Sequence, residues 1–327
     1  MKKRKLGRSG ISVAPLALGG NVFGWTVDEP TAFGILNSFL EEGFSLVDTA
    51  DVYPRWVPGN EGGESETIIG NWMRQRRNRD KVVIATKVGS EMGPGRKGLS
   101  KDYILRAAED SLKRLQTDYI DLYQSHYDDP QTPVGETLEA YAQLIKEGKV
   151  RAIGASNLTP ERLRESLAVS REKGLPRYES LQPLYNLYDR ERFESLFAKL
   201  CREEGLGVIT YYSLASGFLA GKYRSKDDLG KSVRGAKAAG YLNERGLRIL
   251  AALDEAAKEY GMEPATVALA WIMAQPGITA PIASATSIPQ LKALAAAATL
   301  KLDRKTLGLL DKASAAEPGA GSGKAAA

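Results

Sequence analysis

The chain has 327 residues, and its 45 basic and 40 acidic side chains leave a formal charge of only +5. One cysteine excludes an internal disulfide, and with a single histidine it leaves too few ligands for a zinc site, which takes three or four. No stretch nears the roughly 20 apolar residues of a membrane span, no secretory segment is evident, and the basic clusters at 2–5 and 74–79 lack the interleaved aromatics of a nucleic-acid surface. A soluble cytoplasmic protein without metal, membrane or nucleic-acid partners is expected.

In chain order, Lys3–Val13 predicts a short hairpin. Leu16–Leu18 is read as the first strand of the main fold. Further strands are expected near 45–50, 81–88, 119–126, 150–155, 178–183, 207–213 and 279–283, each a short apolar, β-branched run. Helical spacing lies between them, with Leu105, Ala108, Leu112 and Leu115 in one interval and Leu138, Tyr141, Leu144 and Ile145 in the next. Ser100 and Thr159-Pro160-Glu161 read as helix starts. Gly148, Gly174, Gly205 and Gly277 stand before strands, where C-cap glycines belong. Cys201, in the helical run 197–201, is expected to be buried filler.

Eight strands alternating with helices predict a parallel α/β fold, and that number favours a closed (β/α)8 TIM barrel over a doubly wound sheet. A single barrel is expected over 1–316, followed by a flexible Gly/Ala/Ser-rich tail at 317–327. The lengthened connections 53–66, 89–99 and 214–242 all follow strands. They therefore belong at the C-terminal face, where barrel sites form.

Three successive strands end in chemistry. The segment 45–53 leaves its apolar start with Asp48 and then Tyr53, 81–87 ends on Lys87, and the lone His126 closes 119–126. Asp48 and Lys87 on adjacent strands would meet in the barrel mouth as a buried pair, since burying either alone is strongly unfavourable. Tyr53, just above, would reach the ammonium, which would lower the phenol pKa from its usual value near 10 and make it a usable general acid. His126 would orient a substrate carbonyl. An acid, a phenol, an ammonium and an imidazole together suit carbonyl reduction by a nicotinamide.

These residues and their flanks resemble the aldo-keto reductase family over roughly 3–315. The likeness is carried in order by Arg4-Lys5-Leu6-Gly7-Arg8-Ser9-Gly10, Leu18-Gly19-Gly20-Asn21-Val22-Phe23-Gly24, Val47-Asp48-Thr49-Ala50-Asp51-Val52-Tyr53, Thr86-Lys87-Val88 and Gln124-Ser125-His126. It continues in Ile153-Gly154-Ala155-Ser156-Asn157, Leu181-Gln182-Pro183-Leu184-Tyr185-Asn186 and the run Tyr211–Tyr223. The resemblance implies a (β/α)8 barrel that binds NADPH in extended form; the chain has no GxGxxG after a strand. It also implies reversible hydride transfer to aldehydes and ketones, with Asp48, Tyr53, Lys87 and His126 as the catalytic tetrad.

By the same resemblance Ser156, Asn157 and Gln182 would hold the nicotinamide carboxamide, which needs donors and acceptors. Tyr211 would stack on its ring, with Tyr212 and Ser213 in the same cofactor-binding stretch. Leu214, Ser216, Gly217 and Lys222 would line the pyrophosphate path, and Gly20 and Asn21 would approach the nicotinamide. The adenosine end departs from the family: where many members carry Lys or Arg, this chain has Ser284, Thr286 and Gln290, and Leu294 replaces an asparagine. NADPH is expected, with NADH the alternative, because a phosphate dianion prefers a charged partner. Lys222, Arg224, Lys231 and Arg234 would compensate if their loop folds over the cofactor.

Trp25, Trp56, Tyr127 and Tyr188 are read as walls for an apolar or aromatic carbonyl or a sugar face. The expected partner is a small carbonyl compound and the expected state a monomer or weak homo-oligomer. Two competing readings are a cofactor-sensing regulatory module of the potassium-channel β-subunit type and a Schiff-base aldolase with Lys87 as nucleophile.

Overall fold

The computed structural model describes residues 1–315; the tail predicted at 317–327 lies outside them. The chain opens with an antiparallel hairpin of β1 (Arg4–Lys5) and β2 (Ser12–Val13). Gly7, at φ +59°, permits the turn, and a Cβ there would stand 2.1 Å from the Glu179 carbonyl. Eight parallel strands then close into a barrel: β3 (Ala17–Gly19), β4 (Leu46–Asp48), β5 (Val83–Val88), β6 (Ile120–Ser125), β7 (Val150–Ser156), β8 (Tyr178–Gln182), β9 (Gly207–Thr210) and β10 (Ile278–Ala283). They pair in chain order, and β10 closes the ring between β9 and β3.

Helices α1 (Glu29–Glu41), α2 (Glu64–Arg76), α3 (Lys101–Leu115), α4 (Val134–Lys146), α5 (Pro160–Lys173) and α6 (Ala198–Glu204) cross between strands. Beyond β9 come the short α7 (Gly235–Ala238), then α8 (Glu244–Tyr260), α9 (Pro264–Ala274), α10 (Ile288–Ala296) and α11 (Arg304–Ser314). The Thr159 side chain accepts from Arg162 N and caps α5 as its sequence predicts. Ser100 occupies the N-cap of α3 without a side-chain bond; Lys101 N donates instead to Glu136 Oε1 at 3.0 Å. Gly148, Gly174, Gly205 and Gly277 all hold positive φ, and Gly174 and Gly205 are the C-caps of α5 and α6.

Two boundaries differ from expectation. The strand predicted to 213 ends at Thr210, because Tyr212 turns to φ +52° and leaves the sheet. The 214–242 connection is not open loop: it folds into 3-10 turns at Ala215–Ala220 and Lys226–Lys231 and into α7.

Inside the barrel, Ala17, Leu46, Ala85, Leu122, Ala152, Ile209 and Ala280 form an apolar layer, and the fully buried Leu6 and Val13 of the hairpin join it. The hairpin thus plugs the N-terminal end. A larger core lies between barrel and helices and includes Trp72, Tyr141 and Trp271. Cys201 belongs to it, and burial pushes its thiol up to about 12. Among the described residues no helix is long and apolar enough to cross a membrane.

Candidate active site

Above the apolar layer the barrel interior turns polar. Asp48, the last residue of β4, pairs in register with Ala85, and Lys87 two residues on shares that inward face. Lys87 pairs with Gln124, Gln124 with Gly154, and Ser156 with Gln182. Only glycine fits at 154, because a Cβ there would stand 2.3 Å from Ser180 Oγ and 3.1 Å from Gln124 Cγ.

Lys87 is fully buried. Its Nζ donates to Asp48 Oδ2 at 2.7 Å, to the Thr49 carbonyl at 2.8 Å and to Tyr53 Oη at 3.3 Å. An ammonium has three donors, and each is matched. Asp48 Oδ1 accepts from Gln182 Nε2 at 2.8 Å and from Gln124 Nε2 at 3.5 Å. The buried charge pair is therefore hydrogen-bonded on both sides, the condition under which such a pair is tolerated.

Tyr53 and His126 meet edge to face with ring centroids 5.8 Å apart. Burial, reinforced by the Asp48 carboxylate, holds the Tyr53 phenol well above its ordinary value. The lowering expected from Lys87 is thus outweighed, because Asp48 offsets the ammonium and the site excludes water. Tyr53 carries its proton at neutral pH. Burial, with Lys87 second, drives His126 well below its usual value, so the imidazole is neutral. Its Nδ1 lies 2.9 Å from Ser90 Oγ, and Tyr127 stacks on it at 4.9 Å.

Asp48, Tyr53 and His126 line a cleft of about 1080 Å³ across the C-terminal face of the barrel, and Lys87 is buried behind them. Trp25, Trp56 and Tyr127 line one end; Ser284, Thr286 and Gln290 line it farther along. Trp56 packs edge to face against both Trp25 and Tyr53, with centroids 5.6 Å apart in each pair.

The aldo/keto reductase family profile matches residues 15–315 of this chain. The chain belongs to that family. It is 38% identical to the uncharacterized oxidoreductase YrpG of Bacillus subtilis (strain 168), over 95% of each chain. It is 34% identical to a probable voltage-gated potassium channel subunit beta of Oryza sativa subsp. japonica, over 89% of each. Against L-glyceraldehyde 3-phosphate reductase of Escherichia coli (strain K12) it is 32% identical, over 89% of this chain and 86% of the other. As an aldo/keto reductase it is an oxidoreductase of small carbonyl compounds, and the family generally uses NAD(P)H.

The cleft of this aldo/keto reductase offers a donor set that fits such a cofactor. Asn21, Ser156, Asn157, Gln182, Tyr211, Tyr212, Ser213, Leu214, Ser216, Gly217 and Lys222 all line it. Ser156 Oγ donates to the Gln182 carbonyl at 2.9 Å, and Asn157 Nδ2 donates to the His126 carbonyl at 2.9 Å. Tyr211 Oη donates to Asn157 Oδ1 at 2.9 Å, fixing its ring at the cleft wall. Asn157, Tyr212 and Ser216 hold positive φ without being glycine, strain of the kind that gathers at functional sites. Gly20 stays behind the wall, where a Cβ would meet Ser65 Oγ at 2.9 Å.

Of the four compensating cations, Lys222 and Arg234 line the cleft. Arg224 is bound bidentately to Asp254 and Lys231 is paired with Asp228. Tyr188 is not a wall: it accepts from Asn243 Nδ2 at 2.7 Å and packs on Tyr241. Ser284 Oγ donates to Asn21 Oδ1 at 2.7 Å, and beyond it Thr286 Oγ1 donates to Gln290 Oε1 at 3.0 Å. The acid Glu263 lines the cleft with Leu294.

Sequence reasoning missed Ser90, Gln124, Arg192 and Lys237, which ordinary strand-end or loop positions conceal. It also missed Asp51, three residues beyond Asp48 on the same loop. Asp51 is 2% exposed, and neither carboxyl oxygen has a hydrogen-bond partner. Burial, then the Glu66 carboxylate, pushes it up to about 8. Glu66 itself accepts from Thr86 Oγ1 at 2.5 Å and Arg114 Nε at 2.7 Å.

Proposed function

We propose that the protein reduces aldehydes and ketones to alcohols with NAD(P)H, reversibly, and that Tyr53 supplies the proton. The observation that carries this is the threefold engagement of Lys87 Nζ with Asp48, the Thr49 carbonyl and Tyr53 Oη. It places a cation 3.3 Å from the oxygen on which negative charge develops when the phenol gives up its proton.

Bound reduced nicotinamide supplies a hydride to the carbonyl carbon. Tyr53 gives its proton to the carbonyl oxygen; a developing alkoxide is far more basic than a phenolate, so a phenol held above its ordinary pKa still protonates it. His126, neutral, uses its one N–H. In the tautomer in which Ser90 Oγ donates to Nδ1, 2.9 Å away, that proton sits on Nε2 and would be offered to the carbonyl oxygen. Positioned proton transfer of this kind contributes about 10²–10⁴ in rate.

Asn21, Ser156, Asn157, Gln182, Tyr211, Tyr212 and Ser213 would hold the nicotinamide half, with Gly20 behind them, and Leu214, Ser216, Gly217, Lys222 and Arg234 the pyrophosphate. Ser284, Thr286 and Gln290 would take the adenosine half through neutral hydrogen bonds. Because Ser284, Thr286 and Gln290 are uncharged, the preference for NADPH over NADH is weak, within about tenfold. The single buried thiol suits a reducing cytoplasm.

Oxidation of NADPH and NADH by 4-nitrobenzaldehyde, followed by absorbance, tests the reading. Turnover supports it. Tight cofactor binding without turnover would replace it with the regulatory role of a channel β subunit.

A further inference from the structure

The mouth of the cleft holds cations that no carboxylate of the fold neutralises. The side chain of Arg192, which precedes the π-helical turn Phe193–Phe197, lines the cleft and makes no hydrogen bond or ion pair among the described residues. The adjacent Glu191 is exposed and forms no ion pair with it, and the next acids in sequence are otherwise engaged. Asp189 accepts from Asn186 Nδ2 and Tyr241 Oη, and Glu194 accepts from Tyr185 Oη and Arg190 Nε. Lys237 of α7 also lines the cleft; its one polar contact is a 3.4 Å bond to Tyr212 Oη. Of the two acids lining the cleft, Asp48 is spent on Lys87, and Glu263 begins α9 beside Ala265 and Leu294 at the far end.

Lys237 stands by the reacting end: it is bonded to Tyr212, whose ring centroid is 5.4 Å from that of Tyr211, and Tyr211 Oη is bonded to Asn157, whose Nδ2 donates to the His126 carbonyl. Arg192 lines the same cleft. Tyr127 stacks on His126 at 4.9 Å, and the His126 ring is 5.8 Å from that of Tyr53. The pyrophosphate cation Lys222 lies elsewhere, its Cδ 3.8 Å from where a Cβ of Gly217 would stand. The rim rings of Trp56, Tyr127 and Tyr212 are 41–47% exposed and offer flat apolar faces between the cations and Tyr53.

We propose that the carbonyl substrate carries an anionic group, a carboxylate or a phosphate, which Arg192 and Lys237 bind at the mouth while the aromatic rim directs the carbonyl toward Tyr53. This rests on the reductase reading above. Unpaired cations at a mouth of low dielectric raise the local concentration of anions and bind them by charge-assisted bonds. The apolar carbonyl suggested by the aromatic walls then describes only the middle of the substrate.

The test compares matched aldehydes: 4-carboxybenzaldehyde with its methyl ester, and 4-formylphenyl phosphate with 4-methoxybenzaldehyde. Wild type should show kcat/KM at least about tenfold higher for an acid than for its neutral partner, a preference that shrinks as salt is raised. Which pair shows the larger ratio separates carboxylate from phosphate. Arg192→Gln and Lys237→Gln should each lower the ratio several-fold, and the double variant should bring it to one or below. A wild-type ratio near one, or a ratio untouched by both substitutions, overturns the proposal. So does a rise in the Kd for NADPH with the ratio held, which would assign the cations to the cofactor. Calorimetric binding of 4-hydroxymethylbenzoate and its methyl ester to the cofactor-loaded protein separates the two readings. Preferential binding of the acid without turnover of any aldehyde would sink the reductase reading and keep this one; turnover of the neutral aldehydes with no preference for acids would do the reverse.

Discussion

The two ends of the cleft are built on different principles. At the reacting end Lys87, Asp48, Gln182 and Tyr53 are joined by bonds of 2.7–3.3 Å, and Lys87 and Asp48 are almost wholly out of water. Farther along, the exposed Thr286 and Gln290 are bonded to each other as a neutral pair, and the half-buried Ser284 is bonded to Asn21. Charge in a dry site must be matched donor for acceptor, so few residue sets will serve. A solvated nucleoside can be held by many neutral sets. The reacting end should therefore be intolerant of change, and the far end adjustable.

The largest effect is expected of Lys87→Met, which leaves the Asp48 carboxylate buried without its cation. The expected result is loss of turnover by at least about 10³ together with about 3–5 kcal/mol of stability. Denaturant unfolding and steady-state rates measure both. A variant that is inactive but as stable as wild type would show that the pair is not the structural knot described.

Asp51 probes the layer just behind. Its folded-state pKa is raised from 3.8 to about 8, so the stability it lends as a neutral acid is complete below its unfolded value and is lost as pH rises through about 8. Asn mimics the neutral form at every pH. Asp51→Asn should gain on wild type between pH 5 and pH 8, by about 1–3 kcal/mol at the upper end. Thermal unfolding at the two pH values reads this, and a constant or narrowing gap would refute it.

The smallest effect belongs to the far end. Thr286→Arg should leave stability within about 0.5 kcal/mol and tighten NADPH relative to NADH by about tenfold, through one charge-assisted bond to the 2′-phosphate. Fluorescence titration with both cofactors reports it. A collapse of stability, or no change in the ratio, would show that the far end is not adjustable in the way its bonding suggests.

Much of the barrel and of the reacting end was legible because both follow a period. Apolar runs alternating with helical spacing give eight strands, and Asp48, Lys87 and His126 stand where three successive runs turn polar. C-cap glycines at 148, 174 and 205 are signalled locally, by the need for positive φ. What was hidden depends on partners distant in sequence. Arg224 sits in a basic loop that invites a phosphate-binding reading, yet Asp254, 30 residues on, takes its guanidinium. Gln182 carries an amide suited to the nicotinamide, but its Nε2 is bonded to Asp48, 134 residues away. The titration of Tyr53 went the other way from the simple expectation, because burial and Asp48 act on it together. No pattern in one segment reports an environment assembled from several.

Whether Tyr53 supplies the proton, with Lys87 steadying the phenolate it leaves, is decided by single-turnover oxidation of NADPH with 4-nitrobenzaldehyde in wild type and Tyr53→Phe, alongside the cofactor Kd of each. The hydride-transfer rate should fall by at least about 10² with Kd held within about threefold. Transfer within a few-fold of wild type in the phenylalanine variant would contradict it.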